Sequence, residues 1–212
     1  SICLMDKKST EEILSKILGF DDQGLRKLKI FHDNILKFNK KYNIIARSTE
    51  NEIWSRHILD SAQIIKYISF NNNESLADLG TGAGFPGMVL AIYNRNPRFH
   101  VKLFEKSKVK CSFLREIKEE LDVRVEIYSE SFTKHEINAN YVVSRAFKKL
   151  EDIMKISREI IKVNHRLIVL KGENAEIEIN NLSESIKDRY ELVESMTNKN
   201  SKILIVDIKK KN

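Results

Sequence analysis

The chain has 212 residues, a net charge of +7 and a pI near 9.2. That length suits one domain or a domain with an extension, and it buries enough core to fold without disulfide or metal support. Cys3 and Cys111 stand far apart with no C-x-x-C, which argues for a reducing compartment and against a zinc site. No apolar run reaches the roughly 18 residues of a membrane span. The opening SICLMDKK is too short and too polar for a signal peptide, so a cytoplasmic protein with no membrane partner is expected. The basic balance admits nucleic acid as a partner, or simply a lysine-rich solvated surface.

In chain order, Ser9-Thr10-Glu11-Glu12 is a capping-box pattern that opens a short helix ended by Gly19. A second helix is predicted over 22–40, with Leu25, Leu28, Phe31, Ile35, Leu36 and Phe38 at helical spacing. Thr49-Glu50-Asn51-Glu52 is another capping box, ahead of Ile53, Trp54, Ile58, Ala62, Ile65 and Ile68. Strands and helices then alternate. Strands are expected at 76–79, 99–104, 123–128, 141–144 and 167–170, and helices at 86–93, 107–121 and 150–161. Two last strands, 190–196 and 202–208, flank a hairpin loop. The pattern predicts an α/β fold, with a doubly wound, mostly parallel sheet closed by a C-terminal antiparallel hairpin. Residues 1–70 form an N-terminal helical extension packed on a main domain of residues 71–212.

The segment LADLGTGAGFPG, residues 76–87, holds four of the seven glycines. It can be parsed two ways. From Gly82, G-A-G-F-P-G fits a dinucleotide-binding turn; from Asp78, D-L-G-T-G-A-G fits the loop of S-adenosylmethionine (SAM) methyltransferases. Glycines are needed where a strand turns sharply into a helix and a ligand approaches the backbone. Register favours the second parse, because Gly80 leads the turn and Asp78 sits in the strand end. Glu105 ends the next strand about 20 residues on, where an acid accepts hydrogen bonds from ribose hydroxyls. Its other reading is a helix-start neighbour favoured by the dipole. A nicotinamide oxidoreductase shares the turn and Glu105, but the chain has no room for a substrate domain.

Further segments carry a resemblance. They are Y-N-I-I-A at 42–46, E-I-W-S-R-H-I-L-D-S at 52–61, D-L-G-T-G-A-G-F-P-G at 78–87, F-E-K-S at 104–107, F-L-R at 113–115, S-R-A-F at 144–147 and L-K-G at 170–172. In this combination the chain resembles the bacterial small-subunit ribosomal RNA guanine-N7 methyltransferases (ribosomal RNA small subunit methyltransferase G, formerly glucose-inhibited division protein B). The resemblance implies SAM as methyl donor and a guanine of 16S rRNA in the small ribosomal subunit as acceptor; a monomer is expected, although nothing in the sequence fixes monomer against dimer. Carried over, the cofactor contacts fall on Gly80, Phe85, Ser129, Glu130 and Arg145, beside Asp78, Gly82 and Glu105. The chain departs at Val109-Lys110, where family members often have two adjacent basic residues. A SAM-binding assembly factor and a SAM enzyme for another substrate are the competing readings.

Guanine N7 carries a free lone pair, so no dedicated catalytic acid or base is expected, and no metal. Product 7-methylguanine is cationic, so Arg145 is assigned to the cofactor carboxylate, guanine O6 or a phosphate, not to N7. Candidate RNA contacts are Arg47, in a basic stretch with Lys40 and Lys41, together with Arg56, His57 and Lys171. Phe147 and Phe85 are candidates for base stacking. Trp54 reads as core, and His57 either as a core histidine or as a site residue.

Overall fold

In the computed structural model, which describes residues 7–132, 136–145, 148–182 and 186–211, seven strands form one sheet. They are β1 (Ser75–Leu79), β2 (His100–Phe104), β3 (Glu126–Tyr128), β4 (Tyr141–Arg145), β5 (His165–Lys171), β6 (Arg189–Glu194) and β7 (Lys202–Ile208). The spatial order is β3-β2-β1-β4-β5-β7-β6. The first five strands are parallel, while β7 runs antiparallel to both β5 and β6. The chain thus turns outward from β1 in both directions, and the crevice at that switch point is where such sheets take ligands.

Side-chain alternation assigns the two faces. Along β5, Ile168 and Leu170 join one apolar cluster, and Leu167 and Val169 join the other. In β7 the same split separates Ile203 and Ile205 from Leu204 and Val206. Two helices, α4 (Gly87–Tyr93) and α5 (Lys108–Leu121), pack in the first cluster, and α6 (Leu150–Ile160) and α7 (Ala175–Leu182) in the second.

The N-terminal third adds to the first cluster, so residues before β1 share a core with the sheet. Here lie α1 (Lys7–Glu12), α2 (Asp22–Asn39) and α3 (Asp60–Ala62). Along α2 the buried apolar side chains are Leu28, Phe31 and Ile35, one helical face. Asp21 starts this helix by accepting a hydrogen bond from Gly24 N at 2.7 Å. Around α3 the helix is irregular, with a wide π-turn at Ile53–Leu59 and tight 3-10 turns at Arg47–Glu52 and Gln63–Tyr67. π-Turns often mark functional sites.

Three local expectations are corrected. Helix α1 is already running at Lys7, so Ser9 lies inside it and does not open it. Thr49 caps no helix: its hydroxyl donates to Ala46 O at 2.7 Å. Helix α7 follows β5, where no helix is expected from the sequence.

Candidate active site

Leu79 ends β1, and the chain reverses through Gly80 and Gly82, both in left-handed backbone with φ of 76° and 60°. The amides of Gly80 and Thr81 both donate to Phe104 O at 3.0 Å, which pins the turn to the end of β2. A Cβ at Gly82 would meet nothing within 4 Å, so glycine is required there by conformation and the space beside it is open. At Gly87 the reason is crowding, because a Cβ would run into Leu103 and Asp78. Glycine at Gly87 therefore lets the helix pack on the sheet.

Two carboxylates hold this loop from opposite sides. Asp78 is fully buried, and its Oδ2 accepts from Thr81 Oγ1 at 2.6 Å and from Gly87 N at 2.7 Å. Its Oδ1 has no hydrogen-bond partner. Burial pushes this carboxyl up to about 7, against the pull of both donors. Glu105 accepts from Gly82 N at 3.0 Å and from Ser107 N at 2.8 Å. A carboxylate has about four lone-pair sites, so acceptor capacity remains at Glu105 for ribose hydroxyls. Ser129 and Glu130 follow β3 on the exposed side, next to Glu105, whose amide donates to Tyr128 O at 3.0 Å. The open space at Gly82, the spare capacity of Glu105 and the unpaired Oδ1 of Asp78 fit an adenosyl cofactor.

The other half of the site is built from distant segments. At the end of β4, Arg145 Nη1 lies 2.8 Å from His57 Nδ1, and His57 Nε2 lies 2.8 Å from Thr49 Oγ1. An arginine only donates, so Nδ1 accepts, Nε2–H donates to Thr49, and the Thr49 hydroxyl passes on to Ala46 O. The imidazole is therefore neutral, with both nitrogens engaged. Burial, and then the charges of Arg145 and Arg56, lower its pKa to about 3. The guanidinium carbon lies 5.0 Å from the Phe85 ring centre, and His57 stacks on the same ring at 5.1 Å. Burial draws the pKa of Arg145 down, opposed by the nearby charges of Asp60 and Asp78.

Asp60, one turn beyond His57, ties in the C-terminal hairpin. It accepts from Thr197 Oγ1 at 2.8 Å, Gln63 Nε2 at 3.0 Å and Ser195 Oγ at 3.4 Å. Met196 N donates to Gln63 Oε1 at 2.8 Å. Burial raises the Asp60 carboxyl, offset by the Thr197 hydroxyl, Arg145 and Ser195.

The structure thus gathers Gly80, Gly82, Asp78, Glu105, Phe85, His57 and Arg145, and it revises several roles. Phe85 is 1% exposed and packed against His57, Arg145 and Phe31, so it offers no face to a base. Asp78 acts from beneath the loop. Lys171, the expected phosphate contact, bonds Glu178 at 2.8 Å and Lys148 O at 3.2 Å. Arg56 is exposed and pairs with Glu52 at 3.1 Å, and Arg47 is exposed on the 3-10 turn. Trp54 is core, stacked on His32 at 5.0 Å. Phe147 lies outside the described residues. Sequence reasoning missed Thr49, Asp60 and Thr197. The H-x-x-D spacing of His57 and Asp60, one helical face, was the available signal. Among the described residues no cluster of His, Cys, Asp or Glu could hold a metal, and no helix is long and apolar enough to cross a membrane.

Comparison with known proteins agrees with this geometry. The profile of the GidB family, rRNA small subunit methyltransferase G, matches residues 24–206. The ribosomal RNA small subunit methyltransferase G of Rickettsia typhi is 37% identical over 183 residues, covering 86% of this chain and 93% of that protein. The fold is similar to a SAM-dependent methyltransferase from Aquifex aeolicus, with TM-score 0.58, 16% identity and coverage of 81% of this chain and 96% of the other. It is also similar to M. jannaschii TYW2 in complex with AdoMet, with TM-score 0.53, 18% identity and coverage of 73% and 76%. The profile match and the Rickettsia relative place the chain in the rRNA small subunit methyltransferase G family.

Proposed function

We propose that the protein transfers the methyl group of SAM to N7 of a guanine in 16S rRNA, acting as a cytoplasmic monomer on the small ribosomal subunit. Its family makes it a SAM-dependent rRNA methyltransferase; the atom, the base and the particle are this reading's own. The observation that carries it is the Arg145–His57–Thr49 relay beside the glycine turn. Both ring nitrogens of His57 are occupied, so the one histidine at the site has no lone pair for taking a proton. That supports an acceptor atom that needs none removed, as N7 does.

SAM, when bound, supplies a methyl group activated by its positively charged sulfur. The chain's residues would bind and orient. Gly80 and Gly82 would bring backbone close to the cofactor, and Glu105 would accept its ribose hydroxyls. Ser129 and Glu130 would border the base of the adenosyl group. Arg145, its fork fixed by His57, would hold an acceptor oxygen of the cofactor carboxylate or of guanine O6. Orientation of this kind is worth up to roughly 7–11 kcal/mol. The net charge of +7 supports an RNA substrate through attraction to phosphates.

The test is incubation with labelled SAM and unmethylated small subunits, followed by mass spectrometry of digested 16S rRNA. One methyl on N7 of a single guanine is expected. A methyl on an exocyclic nitrogen or a ribose, or no incorporation, would overturn the reading.

A further inference from the structure

Between the C-terminal half of α2 and the N-terminal half of α5 lies a cleft outside the cofactor loop. Its floor is aromatic: Phe38 packs at 5.0 Å against both Phe113 and Tyr42. Tyr42 is 37% exposed, and the ammonium of Lys41 stands 5.3 Å from its ring centre. Lys37, Lys41 and Lys108 line the cleft, all exposed and none ion-paired among the described residues. The one acid in the lining is Glu116, and Glu120 lies beyond it near Asn34. The cleft is therefore basic at the end marked by Lys41 and Lys108 and acidic at the other. The basic end adjoins the active site, because Lys108 follows Glu105 by three positions and Ser107 caps α5 between them. The floor reaches the glycine loop through Phe31, which meets Phe113 at 6.2 Å and Phe85 at 5.2 Å.

An exposed aromatic ring flanked by unpaired lysines is the makeup of a single-stranded nucleic-acid platform: the ring stacks a base and the ammonium groups meet the backbone. Neither a purely apolar groove nor a scattered solvating charge has both parts. We propose that this cleft seats a single-stranded segment of the RNA substrate next to the methylated base. A base lies on Tyr42, and phosphates lie on Lys37, Lys41 and Lys108. Lys41 moves from the Tyr42 ring to a phosphate when the base arrives. This rests on the RNA-methyltransferase reading and adds a location to it.

The test uses the whole chain and two probes, unmethylated small subunits and a fluorescein-labelled single-stranded RNA carrying the methylated loop. Two variants are compared with the wild type, Tyr42→Ala and the triple Lys37→Glu, Lys41→Glu, Lys108→Glu. SAM affinity by calorimetry reports the fold and cofactor site of each and is expected to stay unchanged. Tyr42→Ala should weaken RNA binding by about 10-fold, within the range for one stacked base. The triple variant should weaken it by at least about 100-fold, and the slope of log K against log salt should become shallower by about 2. Wild-type RNA affinity and salt slope in both variants would overturn the cleft, while leaving the methyltransferase reading intact if those variants still methylate. A wild type that binds SAM but never methylates RNA would instead overturn that reading.

Discussion

The glycine loop and the Arg145 junction lie side by side at the ends of β1 and β4, yet they are made in opposite ways. The loop is local. Asp78, Thr81 and Gly87 close one hydrogen-bonded turn within ten residues, and Glu105 joins from the neighbouring strand. At the junction Thr49 and His57, Arg145, and Ser195 and Thr197 meet from three segments far apart in the chain. A local turn forms whenever its strand and helix do. A junction of that kind exists only when the entire core is assembled, so its geometry reports on the fold as a whole.

Substitutions can break either half. The largest effect is expected at Arg145→Ala, with methyl transfer to small subunits down by about 10²–10³-fold, the size seen on loss of one preorganised donor. Thermal unfolding should still be cooperative. Unchanged turnover would remove Arg145 from the site. Gly87→Ala strikes the loop by overpacking against Leu103 and Asp78, costing about 1–3 kcal/mol in denaturant unfolding. A neutral result would mean that the loop yields more than the junction.

His57→Gln sharpens the contrast through pH. The folded pKa of about 3 lies below the ordinary 6.5, so the unfolded chain takes a proton first as pH falls. His57 therefore contributes stability that is present above about 6.5 and lost down toward about 3. Asp78, raised from 3.8 to about 7, acts oppositely, contributing below 3.8 and losing that as pH rises to about 7. Unfolding free energy against pH should thus show a weaker acid loss in His57→Gln than in the wild type; parallel curves would contradict a buried neutral histidine. The smallest effect is expected at Arg56→Ala, an exposed pair with Glu52, where stability should move by less than about 0.5 kcal/mol.

This contrast also explains what could be read from the sequence. The parallel strands, α2, α5, the C-terminal hairpin and the glycine turn carry local signals, and they lie within a few residues of expectation. Helix α7 escaped because its apolar residues, Ile177 and Ile179 among acids and asparagines, make a weak periodic pattern. Thr49 was misread as a cap because a hydroxyl ahead of two glutamates looks the same whether it serves a helix or a distant imidazole. Gly80 and Glu105 were legible by spacing. The partners of Arg145 were not, because no local rule says that residues 57, 60, 145 and 197 meet. Phe85 was visible, but its role depended on which rings would cover it.

The hold of Ser195 and Thr197 on Asp60 has a consequence for biosynthesis. The chain leaves its own ribosome from the N-terminus, and the strand pair that braces the Asp60–Arg145 region is made after both residues it braces. A nascent chain halted before residue 195 can already carry its glycine turn, but it has no C-terminal brace on that region. The Asp60–Arg145 region therefore gains its brace only after residue 197 has been made.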